Sequence, residues 1–216
     1  AGYVCPSHFV PLAAPGIIWQ GIKWMFNPLS PFYVKPALNK ALINWGFKFM
    51  QSANQQHVED SAVPLRDISL LSQKLFEEWE ASTSFDFGYE RKGMLEIFQT
   101  EAVAAHAHHT VEKAHELGLD VKYLNKEQLQ ALEPQTPLNA IGGLQFNCDT
   151  HVYPNLLMKN LIADLQQKGI EIKTNESITG FEKKNGKITH IRSNKQQYAT
   201  DAVVVAAGSW SRELAG

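Results

Sequence analysis

Near its C-terminal end the chain runs Thr200-Asp201-Ala202-Val203-Val204-Val205-Ala206-Ala207-Gly208-Ser209-Trp210-Ser211. A short β-branched apolar run of this kind fits a strand buried on both faces of a parallel sheet. It stops at Ala-Ala-Gly, where missing side chains let a backbone approach a flat ligand or another backbone closely. A core strand ending at an ordinary glycine turn would leave the same trace. The segments upstream are what separate the two readings.

The preceding tail is regular. Pro154 to Lys168 has the pattern of a helix that starts on proline and ends at Gly169. Ile170–Lys173, Ser177–Lys183, Ile188–Ser193 and Tyr198–Ala207 are expected strands, with Asn185-Gly186 as a two-residue hairpin turn. Upstream, Pro36–Met50 and Asp67–Glu80 carry apolar residues at helical spacing. Phe85–Tyr89 and Met94–Phe98 look like strands around the turn Glu90–Gly93. Glu101–Leu117 is an expected helix capped by Gly118, followed by a strand at Val121–Leu124. Asn125 and Gln128 hold the capping-box positions of a short helix, Lys126–Leu132, and Ile141–Phe146 is a further strand. A small antiparallel sheet with helices laid over it is the natural assembly of this middle part.

Composition narrows the function. At 216 residues, 44% hydrophobic and 19% charged, the chain can bury a real core and is not disordered. A formal net charge of −2 without a Lys/Arg block argues against nucleic acid as a partner. Cys5 and Cys148 match no metal or redox spacing, and free thiols in a reducing compartment are the default. His106, His108 and His109 share a helix without a third ligand in place, so no metal site is expected. His8 and His151 read as structural histidines. No Ser-His-Asp order is present, and no catalytic residue is assigned.

The four segments Ala1-Gly2-Tyr3-Val4, Tyr89–Leu95, Asp149–Pro154 and Val204–Ser211 resemble, in order and spacing, those of the D-amino-acid oxidase-like superfamily of FAD-dependent oxidoreductases. The branches most similar are the D-amino-acid dehydrogenase small subunits and the glycine oxidases. The fold this resemblance implies is α+β to α/β: a mixed-sheet substrate (cap) domain with covering helices, plus part of an FAD-binding Rossmann-like domain. Residues 1–30 would be a flavin-proximal segment, 31–147 the cap, and 148–216 the partial FAD-binding domain.

The same resemblance implies that Ala1, Gly2 and Tyr3 lie beside the isoalloxazine, with Tyr3 near its reactive face. It places the backbone of Ile178 at the adenine edge. Ala206, Ala207 and Gly208 would approach the ribityl and pyrophosphate, with Trp210 flanking them. The dinucleotide fingerprint Gly-x-Gly-x-x-Gly is not among these residues. This chain is therefore expected to be a fragment that binds FAD weakly or not at all and does not turn over alone. The intact enzyme would oxidise the Cα–N bond of an amino acid. A sarcosine- or glycerol-3-phosphate-type flavoprotein and a non-catalytic binding module are the alternatives. Cytoplasmic location is expected, with membrane association at the inner face or quinone contact kept open. The apolar stretch Gly16–Phe26 could make such contact, although packing under the cap is favoured.

Overall fold

A computed structural model describes residues 2–19, 21 and 39–215. The chain divides into two compact units, Ala1–Ile162 and Ala163–Gly216.

In the first unit, strand β1 (Gly2–Val4) pairs antiparallel with β5 (Thr150–Val152). Helix α1 (Lys40–Ser52) begins where the Asn39 side chain accepts from the amides of Ala41 and Leu42 at 2.7 and 3.1 Å. Its expected start at Pro36 lies outside the described residues, as do Ala1 and Ile22–Phe26. Helix α2 (Gln55–Ser82) is capped by Asn54 and continues without interruption past Pro64. A proline inside a helix costs about 3 kcal/mol, which is why the sequence pattern places the start only after it. Tertiary packing overrides that cost, with Ala62, Phe76 and Trp79 all contributing to cores.

The main sheet of this unit is β2 (Met94–Phe98), β3 (Val121–Asn125) and β4 (Gly142–Phe146) in the order β2-β4-β3, all antiparallel. A Cβ on Gly143 in the central strand would sit 2.6 Å from the Glu96 carbonyl oxygen, so only glycine lets the flanking backbone close in. The expected helix over 101–117 is two: α3 (Glu101–Ala104) and α4 (Ala107–Glu116), separated by a tightened turn in which His106 N donates to Val103 O at 3.3 Å. Neither Gly nor Pro marks that break. The far end follows expectation: Gly118 takes φ +73° and donates to His115 O. Ala107, Ala114, Leu117 and Leu119 bury against Phe98, Val121, Leu144 and Phe146 to make the largest core. Helix α5 (Lys126–Leu132) carries the complete Asn125–Gln128 capping box, at 2.8 and 3.0 Å.

Phe85–Tyr89 is not a strand. It is irregular, turning at Gly88 (φ +64°), and just after it Glu90 bridges to His151 through reciprocal backbone bonds of 2.9 and 2.8 Å. Its alternating aromatics instead build a second core, in which Phe87 and Tyr89 join Val4, Val152, Phe76 and Trp79. That core underlies the β1–β5 pair.

Helix α6 (Pro154–Gln167) follows β5. In the second unit β6 (Ile178–Lys184), β7 (Lys187–Ser193) and β8 (Gln197–Ala199) form an antiparallel sheet. Asn185 and Gly186, at φ +51° and +77°, make the expected hairpin turn. Two expected strands do not form as such. Ile170–Lys173 has no ladder partner, and of Tyr198–Ala207 only the first residues are paired, within β8. A strand is defined by its neighbour, and no described residue offers one to Val203–Val205, so Val204 stands 91% exposed. Every ladder among the described residues is antiparallel, and the fold is α+β. Among the described residues no helix is long and apolar enough to cross a membrane.

Candidate functional site

The sequence-predicted residues fall into two places, one in each unit. In the first, β1 carries Gly2 and Tyr3. A Cβ on Gly2 would lie 2.8 Å from Pro154 Cγ and 2.9 Å from Val152 Cγ2. The smallness of Gly2 is thus already used by the chain itself, in seating β1 against β5 and the start of α6. Tyr3 is half exposed and meets the His151 ring edge-on, with centroids 4.8 Å apart at 82°. His151 pairs across the ladder with Tyr3, and its Nε2 is buried with no hydrogen-bond partner among the described residues.

Just beyond β1 the chain turns through Cys5, Ser7 and His8 and meets Asp149, which is fully buried. Ser7 donates twice to that carboxylate, from its amide to Oδ1 at 3.1 Å and from its hydroxyl to Oδ2 at 2.7 Å. Cys148 Sγ lies 3.6 Å from Oδ1. Burial, reinforced by the adjacent Asp149 charge, pushes both the Cys5 and the Cys148 thiols up to about 12. Cys5, His8 and Asp149 each present one ligand atom, all within 4.8 Å of one another. Sequence spacing does not join Asp149 to Cys5 and His8, because the fold alone brings it to their loop, where the neighbouring Ser7 holds it across 142 residues.

In the second unit, a concavity of about 540 Å³ is lined by Ser177, Ile178, Thr179, Ala207, Trp210, Glu213 and Leu214. It brings together three predicted cofactor contacts, Ile178, Ala207 and Trp210. Ala206 and Gly208 are exposed and do not line it. Gly208 takes φ +56° with open space around the position of a Cβ, so its backbone angle, and not crowding, favours glycine. The turn is closed by Trp210 N donating to Ala207 O at 3.1 Å, opening a short 3-10 turn (Gly208–Trp210) and helix α7 (Ser211–Ala215). Both backbone groups of Ser177 are taken by Asn194, at 3.0 and 2.9 Å. Trp210 is 68% exposed, a large ring left uncovered beside the concavity. Ile178, Ala207 and Leu214 make an apolar stretch of a wall that also carries Ser177, Thr179 and Glu213, and Trp210 stands at the rim, an arrangement with room for part of a flat aromatic ligand. Glu213 and Leu214 were not singled out from sequence; their α7 register places them on the wall.

The sequence profile of the FAD dependent oxidoreductase family (DAO) matches residues 15–216. The D-amino acid dehydrogenase of Neisseria meningitidis serogroup C is 28% identical over 218 residues, covering 99% of this chain and 52% of that protein. Among solved structures, glycine oxidase from Bacillus cereus superposes with a TM-score of 0.62 at 26% identity, covering 70% of this chain and 43% of that one. Glycine oxidase from Geobacillus kaustophilus shares the fold, with a TM-score of 0.60 at 22% identity over 70% of this chain and 42% of that one. The chain spans about half the length of the curated relatives it matches. On the profile match across nearly its whole length, the chain belongs to the DAO family of FAD-dependent oxidoreductases.

Proposed function

We propose that the protein containing this chain is an FAD-dependent oxidoreductase that oxidises the Cα–N bond of an amino acid, in the manner of a D-amino-acid dehydrogenase. The observation that carries the reading is the concavity assembled from Ile178, Ala207 and Trp210, residues that family resemblance alone had marked as cofactor contacts. Bound FAD would supply a hydride acceptor for Cα, and the imino acid released would hydrolyse to a keto acid and ammonia.

What this chain contributes is binding and orientation. The second-unit concavity offers part-apolar walls, from Ile178, Ala207 and Leu214, for part of the cofactor, and Trp210 offers a face for stacking. Tyr3, held by the β1–β5 ladder and braced against His151, is an exposed aromatic of the flavin-proximal segment. Residues 1–30, 31–147 and 148–216 are assigned to the flavin-proximal segment, the cap and the partial FAD-binding domain. A cytoplasmic or inner-face location, with a quinone as electron acceptor, belongs to the same proposal.

The test is an anaerobic substrate panel on the full-length protein, following flavin bleaching and dye reduction with D- and L-amino acids, sarcosine and glycerol 3-phosphate. Bleaching by one or more D-amino acids is expected. Bleaching by glycerol 3-phosphate alone, or by no amine at all, would replace the reading.

A further inference from the structure

Cys5, His8 and Asp149 gather a thiol, an imidazole and a carboxylate within 4.8 Å, and none of the three is among the residues marked above as cofactor contacts. We propose that these three side chains bind a borderline divalent transition-metal ion, zinc for preference, that ties the loop after β1 to the turn before β5. The donor set is the first reason. Sulfur, nitrogen and oxygen together suit Zn²⁺, which takes Cys at about 2.3 Å and His or carboxylate at about 2.0–2.2 Å. Those bond lengths in a tetrahedron place ligand atoms about 3.3–3.8 Å apart, so closing the present spacing takes about an ångström of side-chain movement.

Charge is the second reason. Asp149 is fully buried, yet among the described residues no Lys or Arg forms an ion pair with it. Its hydrogen bonds come from neutral donors: the Ser7 amide and hydroxyl and the Cys148 thiol. A buried carboxylate without a cation is expensive. Metal binding displaces the Cys5 thiol proton to solvent. The resulting thiolate and the carboxylate then cancel the charge of the dication, with His8 a neutral ligand.

Orientation is the third. The paired Ser7 donors fix the Asp149 carboxylate as outer-shell hydrogen bonds fix metal ligands elsewhere. His8 is exposed, giving the ion a path in, and the fourth position falls to water or, after a side-chain shift, to Cys148. Cys5-x-x-His8 puts two ligands on one short loop, so the entropic cost of gathering them is small.

Cobalt(II) reports the site directly. The chain, stripped with a chelator and kept anaerobic without added thiol, is titrated with Co²⁺. One equivalent should produce a thiolate-to-cobalt charge-transfer band in the near ultraviolet with intense visible bands of four-coordinate cobalt, both abolished by one equivalent of Zn²⁺. C5S should lose the charge-transfer band. H8A, at an exposed position that leaves the fold intact by circular dichroism, should bind at least about tenfold more weakly. H106A should bind as the parent does. No charge-transfer band, or a band whose affinity H8A leaves unchanged, overturns the proposal and marks the thiol as an adventitious binder.

Discussion

Phe87→Ala should cost the first unit about 3–5 kcal/mol, because it empties the middle of the aromatic core beneath β1 and β5. Phe87 is 2% exposed, stacked on Trp79 at 5.2 Å between centroids and 6.1–6.3 Å from Tyr89, Phe76 and Phe85. Returning a fully buried phenylalanine to water forfeits about 1.5–3 kcal/mol, and each specific aromatic pairing adds about 0.5–1.5 kcal/mol, not additively. The rings around the void are anchored on two elements, Phe76 and Trp79 on α2 and Phe85 and Tyr89 on the segment after it, so collapse into the space is limited. Against a domain stability of about 5–15 kcal/mol, the loss is about a fifth or more. Urea denaturation followed by circular dichroism and tryptophan emission measures it. Phe87→Leu should restore most of the loss, and amide exchange in β1 and β5 should quicken in Phe87→Ala. A cost under about 1 kcal/mol at unchanged m would show that this cluster is not the foundation of the β1–β5 pair.

Gly143→Ala should destabilise by at least about 1–3 kcal/mol through backbone crowding, its Cβ meeting Glu96 O at 2.6 Å and Leu129 Cδ1 at 3.3 Å. Gly118→Ala, at φ +73° in open space, should cost only the left-handed strain of about 1–2 kcal/mol; equal urea midpoints for the two would contradict this ordering. Asn125→Ala should remove about 1 kcal/mol with the α5 cap, read from the same denaturation curves. The buried thiols make the metal-free fold alkali-sensitive. In the fold they keep their protons to about 12 where an ordinary value is 9.0, so between those limits the unfolded chain binds fewer protons. Stability is therefore complete below the lower limit and falls as pH rises through the window. Melting temperature should fall less steeply in C148S than in the parent across that range, and parallel slopes would refute the assignment.

Local signals were the ones that carried from sequence to structure. The Asn125–Gln128 box, the Asn185-Gly186 turn and the Gly118 terminus each depend on a few neighbouring residues, and each formed as expected. Features decided by distant partners did not carry. Val203–Val205 has strand composition without a strand beside it, Phe85–Tyr89 spends its alternation on a core in place of a ladder, and α2 runs through Pro64 because its packing outweighs propensity. The candidate site divides the same way. Ile178, Ala207 and Trp210 were marked by resemblance and meet at one concavity, whereas Ala206 and Gly208 are exposed and do not line it. The Cys5–His8–Asp149 group was invisible because its parts lie at opposite ends of the first unit.

The Ser7–Asp149 contact closes a loop of 142 residues, and it has a bearing on synthesis. At about 5–20 residues per second, a ribosome completes β1 roughly seven to thirty seconds before its mate is made. Through that interval Tyr3, Cys5 and His8 travel undocked on the nascent chain, while helices and the β2–β3–β4 region can already be gathering behind them. The last join in this half of the molecule is therefore the one that builds both the Tyr3 platform and the thiol–imidazole–carboxylate cluster. A holdase acting on that undocked segment would change the yield of assembled protein without touching its final stability.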